Sequence, residues 1–335
     1  MAILKVDTIS GIGTEGPVFE GDIEFTSKNF LTLPKGDTSQ RGRGRGLLGG
    51  SNDGSPFSNS IQFITIQSQG NSIDFGDLTL ARSRTSSYAS STRGVWAGGN
   101  PATDRIDFVT IATTGNATDF GNFTVARLFC SGTSSATRGL TVGGVDAPTV
   151  VNVIDFTTIA SAGDAQDFGD LFVKKAGLGA LSSTTRAVFG GGYQVSNPSA
   201  ATNDITSLTI ATTGNSADFG DLTIARRYLN GVSSNTRGVF GSGSVPAANN
   251  TIDFITIASA GDATDFGDAT IANEHRAGIS NSIRGVNAGS GSPAIGNTID
   301  FITIATTGYA ADFGDTTTNM GYSAGCSDSH GGLAE

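Results

Sequence analysis

Asp-Phe-Gly, the tripeptide whose aspartate holds magnesium in protein kinases, occurs six times in this chain of 335 residues. The six aspartates are Asp74, Asp119, Asp167, Asp218, Asp265 and Asp312. A kinase carries the tripeptide once, with a His-Arg-Asp catalytic loop, and this sequence contains no such loop. Six copies instead indicate a structural element. The aspartate would accept hydrogen bonds from backbone amides, the phenylalanine would pack between repeats, and the glycine would adopt a positive φ or form a bulge.

Carboxylates around the tripeptide raise the question of calcium, which takes several oxygen ligands from loops. The series is complete in two repeats, at Asp164, Asp167 and Asp170 and at Asp262, Asp265 and Asp268. Other repeats have Asn or Tyr at the first position, and turn chemistry alone accounts for Asp next to Gly. We therefore expect no cofactor, and calcium stays open as the alternative.

Catalytic and redox groups are scarce. His275 and His330 are the only histidines, and Cys130 and Cys326 are the only cysteines. This excludes a multi-histidine metal centre and a Cys-x-x-Cys site. No Ser-His-Asp, Cys-His or paired-Glu arrangement is evident. We expect two buried free thiols and no enzymatic activity.

The negative net charge limits the kinds of binding partner that we expect. The formal net charge is -10, whereas nucleic acids and anionic membranes are bound through clustered Lys and Arg, so neither is an expected partner. The run RGRGRG at 41–46 lacks the interleaved aromatic residues of an RNA-binding element and fits a linker better. No window approaches the roughly 20 apolar residues of a membrane span.

The tripeptides mark an internal repeat. Their spacings are 45, 48, 51, 47 and 47 residues, within the range of solenoid and propeller repeats. The distance from each of the first five aspartates to the next repeat arginine is always 19 residues, and Gly331 takes that position after the last one. All length variation therefore falls in one connection, after the arginine. The repeat arginines are Arg45, Arg93, Arg138, Arg186, Arg237 and Arg284.

Each repeat reads as four strands, A to D, which the fifth repeat places at 227–234, 237–243, 251–259 and 263–272. Abundant glycine, serine and threonine favour short strands joined by tight turns. Strand C has apolar residues on both faces, which requires packing partners on both sides. Radially packed blades supply them, so we predict an all-β, six-bladed β-propeller over residues 41–335.

The ends of the repeat region are predicted to close the ring. The first unit opens directly with a strand B at residues 45–50, and the chain ends with an A-like stretch at residues 320–329. The carboxyl-terminal strand should complete the first blade, which removes an exposed sheet edge.

The repeat resembles the kelch-type propeller. A glycine pair follows a hydrophobic strand, a variable loop comes next, and an aspartate-containing strand precedes a closing arginine, as at Arg82, Arg127 and Arg226. The usual kelch Tyr and Trp pair is missing from each blade, and the resemblance implies architecture rather than activity. The six repeat arginines would form a ring, either paired with aspartates of their own or the next blade, or lining an anion site at the channel.

The first forty residues carry no repeat marker and are too few to bury a core of their own. We predict a short β arm that docks on the propeller, on a sister subunit or on another protein, through Val18, Phe19, Ile23 and Phe25. The stretches VDTISG, GPVFEGDIEFTS and FLTLPKG are similar to attachment regions of tail-fibre-like structural proteins of marine tailed phages, cyanophages especially. The resemblance implies a virion component, assembled in the host cytoplasm, that binds other virion proteins through residues 1–40.

The variable connections are the expected recognition loops, because they should emerge together on one face of a rigid scaffold. Residues suited to contacting a sugar or a protein surface are Asp53, Phe57, Tyr193, Gln194 and Asn197. Neutral drift in solvent loops is the alternative. For the whole chain, two functions stay open: a virion appendage that binds a host-surface glycan or protein, or a stand-alone lectin-like propeller.

Overall fold

The computed structural model describes residues 44–54, 57–194 and 201–333. These residues are all-β and form six antiparallel sheets arranged in a ring, which confirms the six-bladed β-propeller. Within the described residues, no helix is long and apolar enough to cross a membrane. The residues predicted to form the attachment arm lie outside the described ranges: Val18, Phe19, Ile23 and Phe25.

The strands are numbered in chain order, and each blade has four of them, A to D from the channel outwards. The A strands of blades I to VI are β27 (Ala324–Ser327), β4 (Ser86–Ala89), β8 (Ser131–Ser134), β14 (Gly179–Ser182), β18 (Asn230–Ser233) and β23 (Ala277–Ser280). The B strands are β1 (Arg45–Gly49), β5 (Arg93–Ala97), β9 (Arg138–Val142), β15 (Arg186–Gly190), β19 (Arg237–Gly241) and β24 (Arg284–Ser290).

The two outer strands of each blade follow the same order. The C strands are β2 (Ser60–Thr65), β6 (Arg105–Thr110), β12 (Val153–Thr158), β16 (Asp204–Thr209), β21 (Ala247–Thr256) and β25 (Gly296–Thr303). The D strands are β3 (Ile73–Asp77), β7 (Thr118–Asn122), β13 (Gln166–Asp170), β17 (Ala217–Asp221), β22 (Thr264–Asn273) and β26 (Ala311–Asp315). Three short strands lie in connections between B and C: β10 (Val145–Asp146), β11 (Thr149–Val150) and β20 (Ser244–Val245).

The carboxyl-terminal strand closes the ring as predicted. β27 pairs antiparallel with β1, with Cys326 opposite Leu47. Just after β27, the buried carboxylate of Asp328 accepts hydrogen bonds from the amides of Gly44 (2.6 Å) and Arg45 (3.0 Å). The first and last strands of the propeller are therefore joined both by a sheet ladder and by a side chain.

The hydrophobic cores lie between neighbouring blades. One cluster joins Leu47 and Ile61 of blade I to Trp96 and Ile111 of blade II, and all four side chains are buried. Because a blade packs on both sides, its C strand alternates little between polar and apolar residues. This is the two-sided burial that the sequence pattern of strand C predicts.

The Asp-Phe-Gly tripeptide holds adjacent blades together. In blade II, Phe120 is buried in an interblade cluster, and Gly121 has φ of +149° at a β-bulge in strand D. Those two predicted roles are confirmed. Asp119 is exposed, and the predicted acceptor role belongs instead to Asp164 of blade III, which accepts a hydrogen bond from the amide of Asn122 at 2.9 Å.

Replacing Gly121 with alanine is expected to destabilise the fold far more than replacing Gly163. Both glycines have φ near +150°, at +149° and +156°, so alanine is strained at each. A Cβ at position 121 would lie 2.4 Å from the carbonyl oxygen of Gly163, whereas a Cβ at position 163 would meet nothing within 4 Å. We expect the Gly121→Ala variant to lose about 2 kcal/mol more of its free energy of unfolding in urea. Equal losses would contradict the interblade contact.

The repeat arginines bind backbone carbonyls of the next blade. Nη1 of Arg93 donates to the carbonyl oxygen of Ile159 at 2.9 Å, and its guanidinium carbon lies 4.6 Å from the centroid of the Phe108 ring. The other five arginines make the equivalent bond: Arg45, Arg138, Arg186, Arg237 and Arg284. Within the described residues none of the six pairs with an aspartate, so the predicted aspartate pairing is wrong there; the anion site at the channel stays a prediction.

The closing arginines pair with aspartates. Nη2 of Arg226 lies 2.6 Å from Oδ2 of Asp253 in strand C of blade V, and neither side chain is exposed. Asp253 also accepts a hydrogen bond from the Thr223 hydroxyl. Equivalent buried pairs are Arg82 with Asp107, Arg127 with Asp155, and Arg276 with Asp300.

Candidate functional site

The variable connections emerge on one face of the propeller, as predicted. Each links strands B and C, and residues just before strand A form bridges to them, as between Ser83 and Asn100. The face that carries these connections therefore also carries the entrance to the central channel. Of the predicted contact residues, Asp53 is exposed and Phe57 and Gln194 are half-buried. Asn197 lies outside the described residues.

Six equivalent residues form a ring around the channel entrance. Each lies ten residues after an Asp-Phe-Gly aspartate and two residues before the start of strand A, and each has a left-handed backbone with φ between 57° and 64°. Amides of this ring donate to carbonyls of the preceding blade, as from Phe129 to Arg84 (3.1 Å) and from His275 to Tyr228 (3.0 Å). The ring residues are Arg84, Phe129, Gly177, Tyr228, His275 and Tyr322.

The side chains of the ring converge over the channel. The His275 ring stacks between two tyrosines, with centroid distances of 3.9 Å to Tyr228 and 4.3 Å to Tyr322. Phe129 lies 5.3 Å from Tyr228 and 5.7 Å from His275. The guanidinium carbon of Arg84 lies 4.7 Å from the Phe129 ring and 4.9 Å from the Tyr322 ring. We call this group, together with Tyr193, the mouth cluster.

Tyr193 belongs to the mouth cluster rather than to an exposed loop surface. Its side chain is only 5% exposed and packs against Ala176, with ring contacts to Phe129 (6.5 Å) and Tyr228 (5.5 Å). A Cβ at Gly177 would lie 2.7 Å from the Tyr228 ring and 3.3 Å from the Tyr193 ring, so the missing side chain leaves room for both rings. Whether Tyr193 touches a ligand stays a prediction.

Two arginines and the carboxylate of Glu274 lie around the mouth cluster. Arg84 belongs to the ring, and Arg227 lies 5.1 Å from the centroid of Tyr228. Burial and the positive charges of these two arginines hold the pKa of His275 well below its usual value. Burial raises the pKa of Tyr193 and of Tyr228. The histidine is therefore neutral and the tyrosines are protonated at neutral pH.

The six ring residues of the mouth cluster line a cavity of about 120 Å³ that runs into the channel. Farther down, hydroxyl groups of the A strands form a second ring, as where Ser182 Oγ donates to the carbonyl oxygen of Ser134 (2.8 Å). Blade II has Ala89 at that position, and there His330 Nε2 lies 2.9 Å from the Ala89 carbonyl oxygen. The carboxyl-terminal residues thus lie across the opposite end of the channel, where Gly331 donates to Ser233.

Lowering the pH from 7.5 to 5.5 is expected to destabilise the fold through His275. The folded-state pKa lies below the unfolded value near 6.5, so the unfolded chain binds a proton that the folded chain does not, and stability falls as pH drops below about 6.5. The expected loss is roughly 1 kcal/mol.

The variant His275→Phe is the matched control, because Phe129 occupies the equivalent position in blade III. Urea unfolding at both pH values should show a smaller pH dependence in the variant. Equal pH dependence in the two proteins would contradict the assignment to His275.

Sequence reasoning missed the mouth cluster although its signal is present. The ring position lies in a part of the repeat with constant length, yet it holds Arg, Phe, Gly, Tyr, His and Tyr. A position that varies in chemistry while its spacing is fixed marks a site where the scaffold presents different side chains. Of these six residues, only His275 stands out in the sequence as a departure from the repeat pattern.

The described residues contain no group of three or more His, Cys, Asp or Glu side chains placed to hold a metal ion. Asp164, a candidate calcium ligand, serves as an interblade acceptor instead. The absence of a cofactor stays a prediction. No protein-family model matches the chain, and no curated protein matches it in sequence, so the fold and the mouth cluster carry the functional argument.

Proposed function

We propose that the chain is a recognition component of a tailed-phage virion, attached by residues 1–40 and binding the host surface through the face that surrounds the mouth cluster. The attachment part rests on the similarity of the amino-terminal stretches to phage attachment regions. The recognition part rests on a single structural observation, that the variable connections and the mouth cluster share one face.

The scaffold supports a binding role. Buried ion pairs, interblade arginine bonds and the closing strand fix the positions of the loops, and loops on rigid scaffolds are common recognition sites. The side chains at the channel entrance differ from blade to blade, while the interblade contacts repeat. A binding protein needs this combination, because pre-organised contact residues lose little entropy on binding.

Mass spectrometry of purified phage particles tests the attachment. We expect the chain in particles made with the full-length gene and expect it to be missing when residues 1–40 are deleted. The control is the amount of soluble propeller in the infected cells, which should be equal in both cases. Normal incorporation of the shortened chain would overturn the attachment role of the arm.

A stand-alone lectin is the second candidate, favoured by the aromatic side chains of the mouth cluster. Aromatic rings with a few polar groups are typical of small-molecule sites. A purified full-length chain that bound glycans on an array, together with its absence from particles, would support this function instead.

A further inference from the structure

In the part of the chain that the structure describes, two guanidinium groups at the channel entrance have no carboxylate within ion-pair distance. Within residues 44–54, 57–194 and 201–333, the ion pairs involve other arginines, and the Nε atoms of Arg84 and Arg227 are buried without a hydrogen-bond partner. The nearby Glu274 carboxylate lies beside His275, 3.9 Å from its Nε2. The four closing arginines, by contrast, each have a buried aspartate. A cation that the fold leaves unneutralised is suited to receiving an anion from outside.

Arg84 is the better placed of the two. It lines the cavity of about 120 Å³, whereas Arg227 lies outside that lining. The Arg84 guanidinium is held between the rings of Phe129 and Tyr322, which fixes its orientation before any ligand arrives. A guanidinium binds a carboxylate through two parallel hydrogen bonds, and a fixed guanidinium loses little freedom in doing so.

The cavity and the rings limit the size and shape of the ligand. An engineered apolar cavity of about 150 Å³ holds one benzene molecule, so the mouth cavity takes one ring-sized group at most. Tyr228, Tyr322 and Phe129 are half-buried, and each offers apolar ring surface at the entrance. The serine and asparagine side chains deeper in the lining, such as Ser131 and Asn230, offer hydrogen bonds to hydroxyl groups.

We propose that the mouth cluster binds an acidic sugar residue, with its carboxylate on Arg84 and its ring against the aromatic side chains. Arg227 contributes attraction at longer range. The proposal deepens the recognition role proposed above and rests on it for its biological meaning, but binding to the purified chain is independent of attachment to a particle. A neutral sugar lacks the group that Arg84 requires, and a bare carboxylate lacks the ring.

Calorimetric titration of the purified full-length chain tests the proposal with three probes, glucuronic acid, glucose and acetate, each up to roughly 20 mM, the range of weak single-residue binding. Glucuronic acid should bind, and glucose and acetate should bind at least about tenfold more weakly, because each loses one of the two kinds of contact. Equal binding of glucose would overturn the role of the charge. Equal binding of acetate would overturn the role of the rings, and no binding of any probe would overturn the site.

Variants locate the site. Arg84→Gln keeps most of the side-chain length and should weaken glucuronic acid binding about tenfold or more, and Arg227→Gln should weaken it only a few-fold. Lys174→Gln removes an exposed cation that does not line the cavity and is the matched charge control. Equal affinity of Arg84→Gln and the natural chain would overturn the assignment, provided that both melt at similar temperatures. If the natural chain entered particles but bound none of the three probes, this site would be refuted and the virion role would stand.

Discussion

Deletion of residues 321–335 is expected to abolish cooperative unfolding. The deletion removes β27, so β1 loses one of its two ladder partners. The buried side chains of Leu47 and Trp96 also lose their contacts with the cluster residues Ala324 and Cys326. It also removes Asp328, which holds the amides at the start of the propeller. Blade I is then a three-stranded sheet with an open inner edge, and neighbouring blades lose an interblade core. Thermal unfolding followed by circular dichroism should show a broad, gradual change.

A shorter deletion separates the strand from the tail that follows it. Removing residues 329–335 keeps β27 and Asp328 but deletes His330 and its contact with Ala89. This variant should keep a cooperative transition at a lower temperature. If the 321–335 deletion melted as cooperatively as the full chain, closure by β27 would not be needed for folding.

Replacing Asp253 with asparagine is expected to lower the free energy of unfolding by about 3–5 kcal/mol, the usual cost of breaking a buried ion pair by removing one charge. Arg226 would stay in place, fully buried, bonded to the carbonyl oxygens of Thr251 and Phe240 but without its neutralising carboxylate. Its charge would then be desolvated without compensation. Urea unfolding at pH 7 measures the loss.

An exposed ion pair of the same chain is the matched control. Arg105 and Asp119 lie 3.9 Å apart, and their side chains are 40% and 60% exposed. The variant Asp119→Asn should lose at most about 1 kcal/mol, because water screens such pairs. Similar losses at positions 253 and 119 would show that burial does not decide the energy of these pairs.

Most of the fold follows from distances along the sequence. Constant spacing from each tripeptide aspartate to the next repeat arginine predicts identical blades, and the unmatched strand at residues 320–329 predicts closure on blade I. These predictions succeed because every blade of a propeller has the same arrangement of strands. The distances between sequence markers are therefore enough to place the strands. The role of Arg93 was harder to predict, since its partner is a backbone carbonyl of Ile159, and every residue has a carbonyl.

The mouth cluster could not be predicted in the same way. Its members come from different repeats and meet only at the channel axis, so no stretch of sequence contains them together. Tyr193 illustrates the difficulty, because its ring lies beside Gly177, in another connection, where a side chain would meet the rings of both Tyr228 and Tyr193. A loop tyrosine usually favours solvent or a ligand, and only the three-dimensional arrangement reveals the vacant place.

Because the first repeat begins at strand B, the repeat in the sequence and the blade in the structure do not begin at the same strand. This affects how the number of blades can change. Counted from strand B, each repeat in the sequence supplies strands B, C and D of one blade and strand A of the next. Among the four-stranded blades, only the ladder between β27 and β1 pairs strands from opposite ends of the propeller. Duplication of one repeat therefore adds a whole blade while leaving that junction unchanged. Loss of a repeat removes a blade without creating an unpaired edge strand. Gene duplication and deletion would thus change the number of blades in whole steps.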